Sequence, residues 1–237
     1  MRRPGVALTI VGLGLLALSA GPGRAGSDNN RPFTQDFRQE DCTFSSTGRN
    51  PYFIIEPGYQ TVFEGLEGKT KVVNTITVTD RTLRVDGVET RVVEERETHD
   101  GQLAEVSLNY FALCSPTNSM FYFGEDVDIY EGGVIVAHPG AWRAGVGGAR
   151  AGFALPGTIL LGGRYYQEIA PGVALDRAEI LSTTEVVATP AGTFENCLET
   201  TETTPLEPFS HENKWYTPGI GLVQDDTLLL VRFGFVR

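Results

Sequence analysis

The feature that most limits the fold of this chain is an alternation of apolar and polar residues that repeats between tight turns. Residues 75–79 read Thr-Ile-Thr-Val-Thr, and residues 103–113 alternate in the same way. A period of two places successive side chains on opposite faces of a β-strand. Asp86-Gly87 and Asp100-Gly101 lie between such runs and are typical of two-residue hairpin turns. Beyond residues 6–20 no stretch shows helical spacing, so the chain is predicted to be all-β.

The predicted fold is a single β domain over residues 51–237. We expect a strongly curved antiparallel sheet or partly open β-barrel of roughly ten strands, with one face exposed to water. A two-sheet β-sandwich is the alternative. Residues 139–163 are rich in Gly, Ala and Pro, which disfavours helix and regular strand, and they are predicted to form a long loop that caps the sheet. The glycines of residues 145–152 indicate a close backbone crossing rather than a phosphate-binding loop, because no Gly-Lys-Ser/Thr ending follows them.

The N-terminal 25 residues have the layout of a cleaved secretory signal peptide. Arg2 and Arg3 precede an uncharged apolar run over residues 6–20, and small residues stand at positions 23 and 25, where a signal peptidase reads the chain. We expect cleavage between Ala25 and Gly26, a flexible lead-in over residues 26–50, and a mature protein that is periplasmic or secreted.

The charge of the chain argues against several classes of partner. The formal net charge is −11, and loss of the predicted signal, which carries three arginines and no acid, would make it −14. Such a surface repels nucleic acid and anionic lipid. No other apolar run is long enough for a membrane span, so no stable membrane anchor is expected. The three cysteines and three histidines are scattered and do not have the spacing of a metal site, and no cofactor is predicted.

Candidate site residues fall into two groups. Glu168 and Asp176 flank a Pro-Gly loop, and Glu212 follows a histidine; paired carboxylates can perform acid–base chemistry, although solvated surface positions are the simpler interpretation. Aromatic residues crowd the predicted strands and could line an apolar pocket, with core filling as the alternative. The candidates for ligand binding among them are Trp142, Tyr166 and Trp215. The acidic residues at positions 125, 126, 128 and 131 are interpreted as a solvated sheet edge.

Several motifs occur together in a familiar order. They are Asn50-Pro51-Tyr52-Phe53, Phe121-Tyr122-Phe123-Gly124-Glu125, Ala141-Trp142-Arg143-Ala144-Gly145-Val146, Pro190-Ala191-Gly192-Thr193-Phe194 and Tyr216-Thr217-Pro218-Gly219. In this order the chain resembles an uncharacterised family of exported bacterial β-sheet proteins, from about residue 50 to residue 225. The resemblance implies a fold and an exported location but no activity. Arg143 and Cys114 stand where the family pattern has acids.

The cysteines are predicted to form one disulfide and one free thiol, as expected for three cysteines in an oxidising compartment. A lone cysteine at the position of Cys197 suits the resembled family and behaves as a small apolar core residue. Cys114 follows a predicted strand at the rim of the sheet, and Cys42 belongs to the lead-in. We therefore expect a Cys42–Cys114 disulfide, with Cys197 free and buried.

Three functions are compatible with these features. The first is a soluble exported protein of the cell envelope that binds a small, partly apolar ligand inside the curved sheet. The second is an exported hydrolase-like enzyme with a carboxylate pair, in which Glu168, Asp176 or Glu212 is the general base. The third is a purely structural component of the envelope.

Overall fold

A computed structural model describes residues 31–236, so the predicted signal peptide and its cleavage point lie outside the described residues. Besides one 3-10 turn at Gln39–Asp41, the regular structure within residues 31–236 is β throughout, as predicted. The strands are β1 (Phe44–Ser45), β2 (Arg49–Asn50), β3 (Phe53–Ile54), β4 (Tyr59–Glu67), β5 (Thr70–Val85), β6 (Val88–His99), β7 (Gln102–Cys114), β8 (Ser119–Glu131), β9 (Val134–Ala137), β10 (Trp142–Arg143), β11 (Arg150–Leu155), β12 (Arg164–Tyr166), β13 (Glu168–Ile169), β14 (Arg177–Thr189), β15 (Gly192–Thr204), β16 (Glu207–Thr217), β17 (Gly221–Asp225) and β18 (Leu228–Phe235).

The strands form one large antiparallel sheet that is nearly closed into a barrel. Its order is β12-β14-β15-β16-β17-β18-β4-β5-β6-β7-β8-β11-β13, and β2 and β3 form a small second sheet. Residues 164–169 join the two ends, because β12 pairs with β14 while β13 pairs with β11. Closure leaves few unpaired strand edges and gives the sheet an inner face. The prediction of a curved sheet or partly open barrel is thus confirmed.

Two long hairpins have the predicted turns at their tips. Asp86-Gly87 connects β5 to β6, and Asp100-Gly101 connects β6 to β7. All four residues have positive φ, between 47° and 81°, as the type I′ turns that match strand twist require.

Residues 139–163 differ from the predicted loop, because they contain two strands. β11 pairs with both β8 and β13, and β10 pairs with β8. Gly152 makes this possible: a Cβ there would lie 2.4 Å from the carbonyl oxygen of Tyr166, so only glycine allows the two backbones to approach. The glycine-rich stretch is therefore a close crossing, as expected, but it is built into the sheet.

The expectation of one water-exposed face is wrong where the end of β7 pairs with the start of β8. The outward side chains there belong to a buried cluster, here called the outer layer, whose members include Tyr110, Ala112, Phe121, Phe123 and Trp142. Phe121 and Phe123 are fully buried. The ring of Phe121 makes edge-to-face contacts with the ring of Phe44 in the N-terminal segment (residues 31–45), at a centroid distance of 5.2 Å, and with the ring of Phe153 on β11, at 4.8 Å.

The N-terminal segment closes the outer layer. Phe37 and Phe44 pack against its buried members, and β1 pairs with the end of β7. The predicted disulfide joins Cys42 to Cys114, whose Cα atoms lie 5.1 Å apart. Cys197 is free and buried, as expected. In the described part of the chain, no helix is long and apolar enough to span a membrane.

Candidate functional site

The inner face of the barrel surrounds a cavity of about 290 Å³. This volume is near the lower end of the range for pockets that hold small organic molecules. Its wall is formed mainly by side chains from strands on both sides of the barrel, from β3–β8 and from β15–β17, together with residues of β11, of β13 and of the turn after β13.

One part of the cavity wall is apolar. It is formed by side chains of β3 to β7, among them Ile54, Ile76, Val78, Val93 and Phe111. Val78 and Val93 are cross-strand partners. The hydroxyl of Tyr59, which also lines this part, donates to the backbone oxygen of Ile220 at 2.8 Å. This surface favours an apolar body in the cavity, since burying it removes apolar area from water.

The rest of the wall carries six carboxylates, from Glu95, Glu125, Glu168, Asp176, Glu202 and Asp225. Lys214 is the one basic side chain among the described residues that line the cavity. Its ammonium lies 2.9 Å from a carboxylate oxygen of Glu202 and 3.9 Å from one of Asp225. Burial raises the pKa of Asp225 to about 7, although Lys214 opposes this rise.

Glu168 and Asp176 approach each other across the tight turn that follows β13. Asp176 donates its backbone N–H to Oε1 of Glu168 at 2.5 Å. Glu168 is 1% exposed, and its burial, reinforced by the charge of Asp176, raises its pKa well above the ordinary value. Burial also raises the pKa of Asp176, although its side chain keeps access to water. Such a pair can hold a proton that neither carboxyl group would keep alone.

Glu125 faces the cavity because β8 contains a bulge. Tyr110 pairs with Gly124 and Phe111 with Tyr122, so one extra residue shifts the alternation between Tyr122 and Glu125, as a β-bulge does. Gly124 is required there, since a Cβ would lie 2.5 Å from the carbonyl oxygen of Trp142.

The surroundings of Glu125 hold its carboxyl group in the neutral form near neutral pH. Burial raises its pKa to about 8, and the hydrogen bond from Tyr122 only partly opposes that rise. Oδ1 of Asn109 lies 2.7 Å from the hydroxyl of Tyr122, so Asn109 and Glu125 compete for its single proton. Asn109 is the cross-strand partner of Glu125, so the three side chains form a polar group on one side of the cavity.

The structure brings two of the six predicted site residues to this cavity. Glu168 and Asp176 both line it, whereas Glu212 does not, although it shares the inward face of β16 with Lys214. Burial raises the pKa of Glu212.

The three aromatic candidates lie elsewhere. Trp142 belongs to the outer layer, and the ring of Tyr166 packs against Phe33. Trp215 packs against the cluster around Phe63 and Leu230. On β16 the cavity positions are taken by Lys214 and Tyr216, and the residue between two inward positions of a strand points away.

Four cavity carboxylates were absent from the sequence-based candidates: Glu95, Glu125, Glu202 and Asp225. Glu95 has no clear signal in the sequence, because the alternate positions Arg91, Val93 and Glu95 include two charged residues and do not indicate an inward face. Glu125 has no signal either, since its orientation depends on the bulge.

No group of three or more His, Cys, Asp or Glu side chains among residues 31–236 has the arrangement of a metal site. Comparison with protein-family models, with curated proteins and with solved structures finds no match to this chain. The resemblance to exported β-sheet proteins therefore stays a prediction, and the case for function depends on the cavity.

Proposed function

We propose that this protein binds a small, partly apolar molecule in the cavity of its barrel. The observation that carries the proposal is the composition of the wall, where Ile76, Val78 and Val93 are combined with several carboxylates. If the interior of the barrel served only to stabilise the fold, we would expect side chains to fill it. Protein interiors pack closely, and an unfilled space lowers the stability of the folded state. A mostly apolar wall with a few polar groups is the common form of a ligand pocket.

A thermal-shift screen with and without a blocked cavity tests this function. Ile76 lines the cavity and is only half-buried, so Ile76→Phe should extend a ring into the space. Thr75→Phe is the matched control, since Thr75 is the next residue on β5 and points to the other face. A ligand specific for the folded state raises the midpoint of unfolding by mass action.

We expect some molecules of the panel to raise the unfolding midpoint of the native chain and of Thr75→Phe, but not that of Ile76→Phe. Circular dichroism of each variant checks that it has folded. A panel without any stabilising molecule, or one whose hits stabilise Ile76→Phe equally, would contradict binding in the cavity.

We also propose that the protein acts outside the cytoplasm. The Cys42–Cys114 disulfide supports this location, because structural disulfides persist mainly in oxidising compartments. N-terminal sequencing of the protein recovered from the periplasm or the medium tests it. We expect a chain that begins at Gly26, and a chain that keeps Met1 would refute export by the predicted signal.

Hydrolysis by a carboxylate pair is a second candidate, favoured by the contact between Glu168 and Asp176 in the cavity wall. Their raised pKa values suit a general acid that must hold a proton near neutral pH. A panel of 4-nitrophenyl glycosides and esters tests this function. Turnover that disappears in both Glu168→Gln and Asp176→Asn supports it, whereas turnover that survives these changes excludes the pair as its source.

A further inference from the structure

The carboxylates of the cavity outnumber the basic groups that could balance them. Six acidic side chains line the wall, and Lys214, the one basic side chain in that lining among the described residues, is engaged by Glu202 and Asp225. Glu95, Glu125, Glu168 and Asp176 form no ion pair with any side chain of residues 31–236. Glu168 is buried and Glu95 and Glu125 are half-buried, and a charge withdrawn from water without a partner is costly. A positive charge in the cavity would therefore favour the ionised form of these carboxyl groups.

The hydrogen bonds to these carboxylates come from neutral donors. Glu95 accepts from Nδ2 of Asn74 at 2.5 Å, and Glu168 accepts from the backbone N–H of Asp176. Glu125 is approached by the hydroxyl of Tyr122. Each carboxylate can accept several hydrogen bonds, which leaves the wall rich in acceptors.

Asn74 provides an independent sign of a missing donor. It is 4% exposed and lies on the inward face of β5, between Val72 and the cavity residue Ile76. Its Nδ2 group is directed to Glu95, and its Oδ1 atom has no hydrogen-bond partner among the described residues. Buried amide oxygens of this kind are rarely left unbonded, so the surroundings of Glu95 contain more hydrogen-bond acceptors than the donors of the described residues satisfy.

The apolar wall limits what kind of cation fits. Ile76, Val78, Val93 and Phe111 face the same space as the carboxylates, so a ligand that fills the cavity must present apolar surface. A hydrated inorganic cation has none, and the described residues contain no group of side chains arranged to hold a metal ion. An ammonium group on an apolar body satisfies both parts of the wall, with donors for the carboxylates and carbon for the apolar residues.

We propose that the cavity selects small organic cations, namely protonated amines on an apolar body, over neutral and anionic molecules of the same shape. This inference rests on the proposed function, because it names the ligand class of the same cavity. The ammonium group lies near Glu95 and faces Glu125, while the apolar body contacts the side chains of Ile76, Val78 and Val93 on β5 and β6. The raised pKa values of Glu125 and Glu168 agree with this arrangement, since a bound cation would favour the ionised carboxylates.

Isothermal titration calorimetry at pH 7.5 with matched probes tests the selection. The first set is 2-phenylethylamine, 2-phenylethanol and 3-phenylpropanoate, and hexyl and indolyl sets of the same three head groups extend the range of size. We expect the best amine to bind roughly 10- to 100-fold more tightly than its alcohol, the range that hydrogen bonds to charged groups supply. The carboxylate of each set should bind least.

Glu95→Gln and Glu125→Gln each remove a carboxyl group that can carry a negative charge beside a bound cation, while keeping an oxygen acceptor. Glu94→Gln is the matched control, because Glu94 adjoins Glu95 on β6, points to the outer face and lies 3.8 and 3.9 Å from two arginines. We expect the amine affinity to fall about tenfold in the two cavity variants and to be unchanged in Glu94→Gln. The alcohol affinity, which also reports intact folding of the cavity, should be the same in all three.

Failure of this inference and failure of the proposed function give different results. If alcohols and carboxylates bind as tightly as amines, or if Glu95→Gln and Glu125→Gln leave amine binding unchanged, selection of cations is wrong while binding in the cavity stands. If no probe of any size binds the native chain, both are overturned.

Discussion

The two faces of the β7–β8 hairpin differ sharply, although alternate residues of the same two strands supply both. The outward face carries Phe121 and Phe123, which are 0% exposed and packed among other rings. The inward face carries Asn109 and Glu125 beside a cavity of about 290 Å³. Close packing is thus reached on the outer side of these two strands, whereas the inner side beside Asn109 and Glu125 retains space and charge. The outer layer supplies packing, and the proposed ligand would occupy the space on the inner side.

The largest effect should come from removing a ring of the outer layer. Phe121→Ala is expected to lower the free energy of unfolding by about 3–5 kcal/mol, because it leaves a cavity among rigid neighbours. Phe111 is the comparison: it lies on the inward face of β7, lines the cavity and stacks on Tyr122 at 4.9 Å. Phe111→Ala should lower the free energy of unfolding by less than half as much, because one side of the Phe111 ring already faces the cavity.

Urea unfolding of both variants, with circular dichroism to detect loss of the sheet, measures this difference. Equal losses for Phe121→Ala and Phe111→Ala would break the distinction between a packed outside and an open inside.

The disulfide should contribute the next largest effect, because it holds the N-terminal segment on the outer layer. Replacement of both Cys42 and Cys114 by alanine removes a link between residues 72 positions apart. We expect a loss of about 2–4 kcal/mol, together with faster amide exchange over residues 31–45. Cys197→Ala is the control, since this buried thiol forms no disulfide. If amide exchange at residues 31–45 is unchanged without the disulfide, the segment is held by packing alone.

The pH dependence of stability should report the charges of the interior. Because the folded pKa of Glu125 is about 8, against an ordinary value of 4.5, the folded state binds more protons between these values. Stability should therefore fall as pH rises from 4.5 to 8 and level off above that range. Asp225, whose pKa is raised to about 7, adds to the fall over a narrower window.

Glu125→Gln should remove part of this fall, by about 1–3 kcal/mol between pH 5 and pH 8.5. Asp126→Asn is the matched control, because Asp126 lies on the outward side of β8 and pairs with Arg143. Thermal unfolding at a series of pH values gives the measurement. A Glu125→Gln profile parallel to that of the native chain would show that Glu125 ionises normally and that the interior tolerates its charge.

The sequence predicted the fold well because its signals are local. Asp86-Gly87 and Asp100-Gly101 define hairpins through residues that accept positive φ, and the alternation over residues 103–113 defines the two faces of β7. The Cys42–Cys114 disulfide also followed from sequence and was confirmed. Closure through residues 164–169 had no local signal, since it depends on pairing with two distant strands.

The candidate site was only partly predictable, because alternation separates two faces without showing which face is inside. Glu168 and Asp176 were recognised from the turn between them, whereas Glu125 depends on a bulge and on the crossing of β10 over Gly124. The prediction that Trp215 lines the pocket was wrong for the same reason. Trp215 lies between Lys214 and Tyr216 on β16, and it is these two neighbours that line the cavity. Long-range packing, which no short pattern contains, decides each of these cases.

The most direct test of the central claim is methyl NMR during titration with 2-phenylethylamine. The claim is that the inner face of the barrel binds ligand while the outer layer does not. We predict saturable shifts for the methyl groups of Ile76, Val78 and Val93, which line the cavity, and constant positions for those of Val85 and Val92 in the outer layer. Shifts confined to the outer layer, or no saturable shift at Ile76, Val78 and Val93, would contradict the account.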